Sequence, residues 1–322
     1  MEEQKPKPYV IGLDLGGTNA VFGIVNQRGE ILATSAIKTQ AYKKVEDFVD
    51  AGVDSLQPII KKVGGIDQIK AMGIGAPNGN FYRGTIEYAP NLFWAHETIV
   101  PLAQMFSDHL GIPVGLTNDA NAAAVGEMQY GAARGMKNFI MITLGTGVGS
   151  GIVINGEVVY GHDGFAGELG HVCAVRHNGR QCNCGKSGCL ETYASAMGVA
   201  RTAREWLDLS DEPSSLRSLD NITSKDVYEA AKDGDKLALK IFDFTGTVLG
   251  QSFADFIAFS APEAIVLFGG LARAKDFLRE PIERAMNANV LPLWRDKVKI
   301  VFSQLKESDA AILGASALAW EL

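Results

Sequence analysis

Two stretches of this chain repeat one plan: a strand-like apolar run, a glycine-rich corner, and a second strand-like run. The first covers residues 9–15, the corner Asp14-Leu15-Gly16-Gly17-Thr18-Asn19, and residues 20–25, with a further strand expected over 31–36. The second covers 139–144, the corner Gly145-Thr146-Gly147-Val148-Gly149-Ser150-Gly151, and 152–154. Such runs flanking turn residues predict β-hairpins. Glycines let several backbone N–H groups converge on one anion-sized concavity, and Thr18, Asn19 and Thr146 add side-chain donors. Asp14 is placed to hold a magnesium ion, directly or through water. Either corner alone reads equally as an ordinary glycine turn, because neither is a Walker loop or a dinucleotide fingerprint. The duplication favours phosphate binding: two related α/β domains turned towards one nucleotide.

A chain of 322 residues, 47% hydrophobic and 21% charged, can bury a large core and divide in two. Its net charge of −7 opposes a general nucleic-acid surface. The opening MEEQKPKP is short and polar, which predicts neither a signal peptide nor a leading DNA-binding domain. The longest apolar run, 139–154, is broken by glycines and too short for a membrane helix. A cytoplasmic protein with no membrane or nucleic-acid partner is expected.

Between the corners, apolar residues at helical spacing predict helices over 45–63 and 99–110, with a strand over 69–74. Asn91, in the turn Ala89-Pro90-Asn91-Leu92, either meets a hydroxyl-rich ligand or organises its own backbone. A strand over 113–116 runs into Thr117-Asn118-Asp119 and an alanine-rich helix reaching residue 130. Asn118 or Asp119 can cap that helix. A carboxylate at such a corner can also serve as a general base. The polar stretch 202–224 reads as a loop or insertion, followed by helices over 225–231 and 237–259 and a strand over 263–267. That strand delivers Phe268-Gly269-Gly270-Leu271-Ala272, where paired glycines admit a flat ring or simply close packing. A strand over 298–302 follows. Ser308 is expected to cap a final helix over 310–320 that returns to the first domain.

All four cysteines, at 173, 182, 184 and 189, fall between Gly167 and Glu191, with His171 among them. Three thiolates and an imidazole form a common structural zinc set, and close spacing limits the entropy lost on closure. Cys182-x-Cys184, Cys189 and His171 supply it. Cys173, two residues beyond His171, leaves a four-thiolate site open as an alternative, and a disulfide is disfavoured in a cytoplasmic chain.

The ordered set DLGGTN, TNDANAAAVGE, TLGTGVGSG, GELGH, CNCGKSGCLETYAS and FGGLA closely resembles the ROK family of repressors, open reading frames and sugar kinases. The resemblance implies a two-domain ribonuclease-H-like α/β fold of the actin, hexokinase and Hsp70 superfamily, with ATP and sugar in an interdomain cleft. Residues 1–117 with 305–322 would form the smaller domain, and 118–304, with a zinc segment over 171–189, the larger. It assigns Gly16, Gly17, Thr18, Asn19, Thr146 and Gly147 to the ATP phosphates, Asp14 to magnesium, and Gly269 and Gly270 to adenosine. Asp119 becomes the catalytic base. Asn91, Asn118, Asp119, Glu168, His171 and Glu191 become sugar ligands, and zinc falls to His171, Cys182, Cys184 and Cys189. The implied activity is phosphorylation of a hexose at its 6-hydroxyl, glucose first, with fructose or an N-acetylated amino sugar as alternatives, in a homodimer or homotetramer. Family regulators carry an N-terminal helix-turn-helix that this sequence does not show.

Overall fold

A computed structural model describes residues 7–322, the side chains of residues 307 and 308 excepted. The chain forms two compact units, one running up to Gly135 with Val158–Ala166 and Gln304–Leu322, the other comprising Met136–Glu157 and Gly167–Ser303. Each has its own apolar core.

The first unit opens with the antiparallel strands β1 (Tyr9–Leu15), β2 (Asn19–Asn26) and β3 (Ile31–Lys38). Helix α1 (Val45–Lys62) follows and buries the stripe Phe48, Val49, Leu56, Ile59 and Ile60, as its spacing predicts. Strand β4 (Ile69–Ala76) then pairs parallel with β1. A small separate sheet comes next, made of β5 (Gly79–Asn80), β6 (Thr85–Glu87) and β7 (Ile99–Val100). Strands this short carry no readable periodicity, so the sequence shows only turns there. They also move a helix boundary: Ile99 and Val100 pair with β6, and α2 (Leu102–Leu110) starts after Pro101 rather than at residue 99. Strand β8 (Val114–Asn118) completes a main sheet of order β3-β2-β1-β4-β8 and passes directly into α3 (Asp119–Tyr130). Phe22, Phe48 and Phe106 meet edge to face beneath this sheet.

The second unit repeats the plan. Strands β9 (Phe139–Leu144) and β10 (Val148–Ile154) form the hairpin, with β11 (Glu157–Val158) at the sheet edge. The corner is tighter than expected: Gly149, Ser150 and Gly151 are strand residues paired with Thr143, Ile142 and Met141. Helix α4 (Glu191–Ala194) precedes α5 (Ala196–Leu209), so the polar stretch from 202 begins as helix and not as loop. Ser195 caps α5 by accepting from Gly198 N, and Val199, Ala200 and Ala203 bury one face, which leaves the polar residues to the other. Even the remainder is anchored, because Leu216 and Ile222 enter the core. Helices α6 (Ser224–Lys232) and α7 (Lys236–Ser260) lead to β12 (Ala264–Phe268), α8 (Lys275–Asn289) and β13 (Lys299–Phe302). Strand β12 runs parallel to both β9 and β13.

Helix α9 (Glu307–Glu321) returns to the first unit and packs on β1, β4 and α3. Its approach is unusually close. A Cβ on Gly12 would lie 2.9 Å from Ser316 N, one on Gly73 would overlap the Ala315 carbonyl, and one on Gly314 would lie 2.6 Å from Ala122 O. Glycine on the sheet and Ala, Gly and Ser on the helix make this packing possible. Lys306 occupies the N-cap position, and the Ser308 side chain lies outside the described residues. Helix α3, expected in the second domain, belongs to the first unit, because it packs against β4, β8 and α9. Among the described residues no helix is long and apolar enough to cross a membrane.

Candidate functional site

In the first unit, polar residues gather where the parallel strands end, the usual position for ligands in open α/β sheets. Register places Asp14 of β1 beside Gly75 of β4, and Gly75 beside Thr117 of β8, so Asp119 lies just beyond the same edge. Gly75 carries no side chain to separate the two carboxylates. Burial, and after it the negative charge of Asp119, pushes Asp14 up to about 6. Asp119 keeps solvent access at its surface. The protein mass around its carboxyl nevertheless holds it above the ordinary carboxylate range, against the lowering effect of the Ala120 N–H. That N–H donates both to Asn118 Oδ1 at 2.9 Å and to Asp119 Oδ1 at 2.7 Å. Asn118 is thus the helix cap, and its Nδ2 is the donor left for a ligand.

The first glycine corner is held from outside. Gly16 N donates to Asn19 O, Thr39 N to Thr18 O and Thr39 Oγ1 to Gly16 O, each at 2.9 Å. A Cβ on Gly17 would lie 2.9 Å from Asn91 O, so glycine there is what lets the Asn91 turn touch the corner. The two border one recess of about 900 Å³ that also takes in Thr18, Gln40, Phe93 and His96. Sequence reasoning missed the last three. Phe93 is 80% exposed between the buried Leu92 and Trp94 and carried no sequence signal, since a single exposed ring is ordinary on a protein surface.

In the second unit, Gly145 N donates to Gly147 O at 3.1 Å, and Ala196 N, at the start of α5, donates to Gly145 O at 2.9 Å. Thr146 and Gly147 border a recess of about 290 Å³ together with Glu191, Thr192, Asn183 and Arg201. The Glu191 carboxylate lies so close that a Cβ on Gly147 would come within 2.7 Å of Oε2. Ser150, which sequence reasoning treated only as part of the corner, ties the glycine hairpin to the segment bearing Glu168 and His171. Its buried hydroxyl donates to Gly167 O and accepts from Leu169 N at 3.1 Å. Gly269, at φ +104°, fits tightly against β9, with a Cβ position 2.6 Å from Leu144 O, so close packing accounts for it. Gly270 opens the short 3-10 turn after β12.

The cysteine segment folds into a compact knuckle. Cys182 N donates to Lys186 O at 2.8 Å, and Gly185, at φ +89°, donates back to Cys182 O at 3.1 Å. This brings one ligand atom each from His171, Cys182, Cys184 and Cys189 within 4.8 Å of one another. Cys184 Sγ and Cys189 Sγ are 3.6 Å apart, and Cys182 Sγ is 3.8 Å from His171 Nδ1. A tetrahedron with zinc–sulfur bonds of about 2.3 Å has an edge of about 3.8 Å, so these two separations match the edges of a zinc site and no donor pair exceeds such an edge by more than about 1 Å. Burial and the hydrogen bond to Glu191 push the Cys182 thiol up. Burial acts the same way on Cys184 but is outweighed by the Lys186 N–H and the neighbouring thiols, which hold it below its ordinary value. Cys173 stays outside the cluster, exposed, with Sγ 3.5 Å from Val175 O. The four-thiolate alternative therefore has no geometric support. Glu191 adjoins the cluster, with Oε1 at 3.0 Å from Cys182 Sγ and 3.7 Å from His171 Nδ1. On the other side of the ring, Glu168 Oε2 is 3.9 Å from Nε2.

The ROK family model matches residues 10–321, nearly the whole chain. This chain belongs to the ROK family. Among its ROK relatives, the glucokinase of Halalkalibacterium halodurans is 37% identical over 314 residues, which cover 95% of this chain and 93% of that one. The ROK family glucokinase of Streptomyces griseus, solved with glucose and AMPPNP, matches with a TM-score of 0.78 at 34% identity over 98% of this chain and 100% of that one. A ROK family transcriptional regulator, a homologue of the E. coli MLC protein, matches with a TM-score of 0.86 at 27% identity over 97% of this chain and 78% of that one. The expected two-domain actin- and hexokinase-like α/β fold is therefore the fold of this ROK chain. Because kinases and regulators share it, fold alone does not separate the two activities.

Proposed function

We propose that this ROK protein is an ATP-dependent sugar kinase that phosphorylates glucose at its 6-hydroxyl, with Asp119 as general base. The observation that carries the reading is Asp119 itself: a solvent-accessible carboxylate with a raised pKa, at the first residue of a helix and across one glycine strand from Asp14. Curated glucokinases at 34–37% identity support glucose as the substrate.

An alcohol is a poor phosphoryl acceptor until it is held in line and its proton has a destination. Asp119 takes that proton, and its raised pKa makes it a stronger base than an ordinary aspartate. Asn118 donates through Nδ2 while its Oδ1 caps α3. Asn91, Glu168 and Glu191 pair with further hydroxyls, as buried sugar hydroxyls require. His171 turns Nδ1 to the thiols, so metal ligation there would fix the proton on Nε2 and make that atom a donor on the Glu168 side. The donor set His171, Cys182, Cys184 and Cys189 suits structural zinc, which would hold the arms bearing Glu168 and Glu191 rather than take part in phosphoryl transfer.

The amides of Gly17 and Gly147, with Thr18, Asn19 and Thr146, would bind the ATP phosphates, while Gly16 shapes the corner through its N–H bond to Asn19 O; Asp14 would bind magnesium, and Gly270, next to the tightly packed Gly269, would lie at adenosine. When bound, Mg-ATP supplies the phosphoryl group and neutralises part of its charge. A coupled ADP-release assay across glucose, fructose, mannose, N-acetylglucosamine and N-acetylmannosamine tests the substrate. Glucose is expected to give the highest kcat/KM. Turnover of an amino sugar with glucose inert would overturn the choice.

A further inference from the structure

Cys173 is left over from the metal cluster, yet it lies directly opposite one of its members. Cys173 and Cys189 form an isolated antiparallel bridge. The flanking bonds run from Ala174 N to Gly188 O at 2.8 Å and from Leu190 N to Val172 O at 3.0 Å, so the two cysteines exchange no backbone bond of their own. In such narrow pairs the Cα atoms lie about 4.5 Å apart and directly opposed side chains leave on the same face. A disulfide spans Cα separations of about 4.4–6.8 Å. The two thiols differ in access: Cys173 is exposed and Cys189 buried. Cys173 also borders a recess of about 580 Å³ lined by Leu169, Val172, Arg176 and Phe256, large enough to admit a small oxidant.

We infer that Cys173 is a site of oxidation by hydroperoxides, and that its oxidised sulfur is captured by Cys189 as a disulfide that dismantles the metal centre. In the first step the Cys173 thiolate attacks the terminal peroxide oxygen. The O–O bond breaks, a sulfenic acid forms, and the alcohol, or water from hydrogen peroxide, departs after taking up a proton. In the second step the Cys189 thiolate attacks the Cys173 sulfur, the S–O bond breaks, and hydroxide leaves as water on protonation. Together two thiols lose two protons and two electrons, and the hydroperoxide is reduced to alcohol and water. Only His171, Cys182 and Cys184 then remain as donors. The inference rests on the proposed zinc reading, and it adds control: the cross-link joins the arm carrying Glu168 and His171 to the arm carrying Glu191.

Trypsin sites after Arg176, Arg180 and Lys186 put Cys173, the Cys182–Cys184 pair and Cys189 on three different peptides, so the pairing can be read directly. The zinc-loaded full chain is treated with hydrogen peroxide, quenched with an alkylating agent and mapped, while released zinc is followed with a chromogenic chelator. A linked Cys173–Cys189 peptide should accumulate in step with zinc release, and dithiothreitol with added zinc should reverse both. Cys173→Ser and Cys173→Ala should each release zinc at least about tenfold more slowly. Equal release from wild type and both variants overturns the inference. So does a Cys184–Cys189 disulfide with Cys173 recovered as a free thiol, the rival that their 3.6 Å sulfur separation makes available. Absence of zinc from the untreated protein would overturn the metal reading alone, and the mapped pairing would still decide the role of Cys173.

Discussion

Replacing Asp119 with asparagine should separate catalysis from folding, because the two oxygens of that side chain have different work. Oδ1 accepts the Ala120 N–H at 2.7 Å, a bond that an amide oxygen can keep, and Asn118 Oδ1 caps the same N–H at 2.9 Å in either case. The helix start should therefore survive. The charge removed is one that burial disfavours at Asp119 itself and that also pushes Asp14 up. Asp119→Asn should accordingly leave the melting temperature unchanged or raise it, with a stability change within about 1 kcal/mol. Loss of a general base costs about 10²- to 10⁴-fold in rate, or roughly 3–5 kcal/mol of transition-state stabilisation. Steady-state ADP release with glucose measures the rate, thermal unfolding the stability, and calorimetric titration the retained sugar binding. Turnover within about threefold of wild type would show that Asp119 only begins a helix. A loss of rate matched by a large fall in melting temperature would show that the carboxylate is structural.

Three further expectations follow from particular contacts. Burial and the Asp119 charge push Asp14 up to about 6 from the ordinary aspartate value of 3.8, so the folded state holds its proton more tightly. The stability it contributes is present below the unfolded pKa and lost as pH rises through the folded one. In chelator-containing buffer the stability of wild type minus that of Asp14→Asn should thus fall between about pH 4 and about pH 6, and a flat difference would contradict the assigned shift. Ser150→Ala leaves Gly167 O and Leu169 N without their buried partner, at a cost of about 1–3 kcal/mol, and should raise the glucose KM more than it lowers kcat; equal effects on both would mean that the hydroxyl does not position the Glu168 segment. Gly73→Ala would drive a methyl group into the Ala315 carbonyl and should destabilise the chain by about 3 kcal/mol or more, read by denaturant titration; a neutral result would mean that α9 sits farther from β4.

Much of the fold was legible because its signals are local. The hairpins around Gly16-Gly17 and Thr146-Gly147, the stripe of α1 and the long α7 each announce themselves in a short window of residues. Where packing overrode composition, the reading failed: residues 202–209 look polar, yet α5 needs only one apolar face, and Ile99-Val100 continues a helical pattern but pairs in a sheet that two-residue strands cannot advertise. The candidate site divides the same way. Residue types and spacing singled out Asp14, Asp119, His171 and the cysteines, since phosphate, proton and metal chemistry demand particular side chains.

The sequence by itself determined the inventory: two glycine corners, a carboxylate opening an alanine-rich helix, and a clustered set of soft ligands, all properties of neighbouring residues. Tertiary structure decided which members of that inventory meet. Only the parallel pairing of β1, β4 and β8 brings Asp14 and Asp119, far apart in the chain, to one sheet edge, where burial raises both pKa values and the charge of Asp119 raises that of Asp14 further. Only the bridge that sets Cys173 across from Cys189 leaves Cys173 outside the ligand cluster but within reach of it. Distances between residues far apart in sequence follow from strand register and close packing, and no local pattern encodes them.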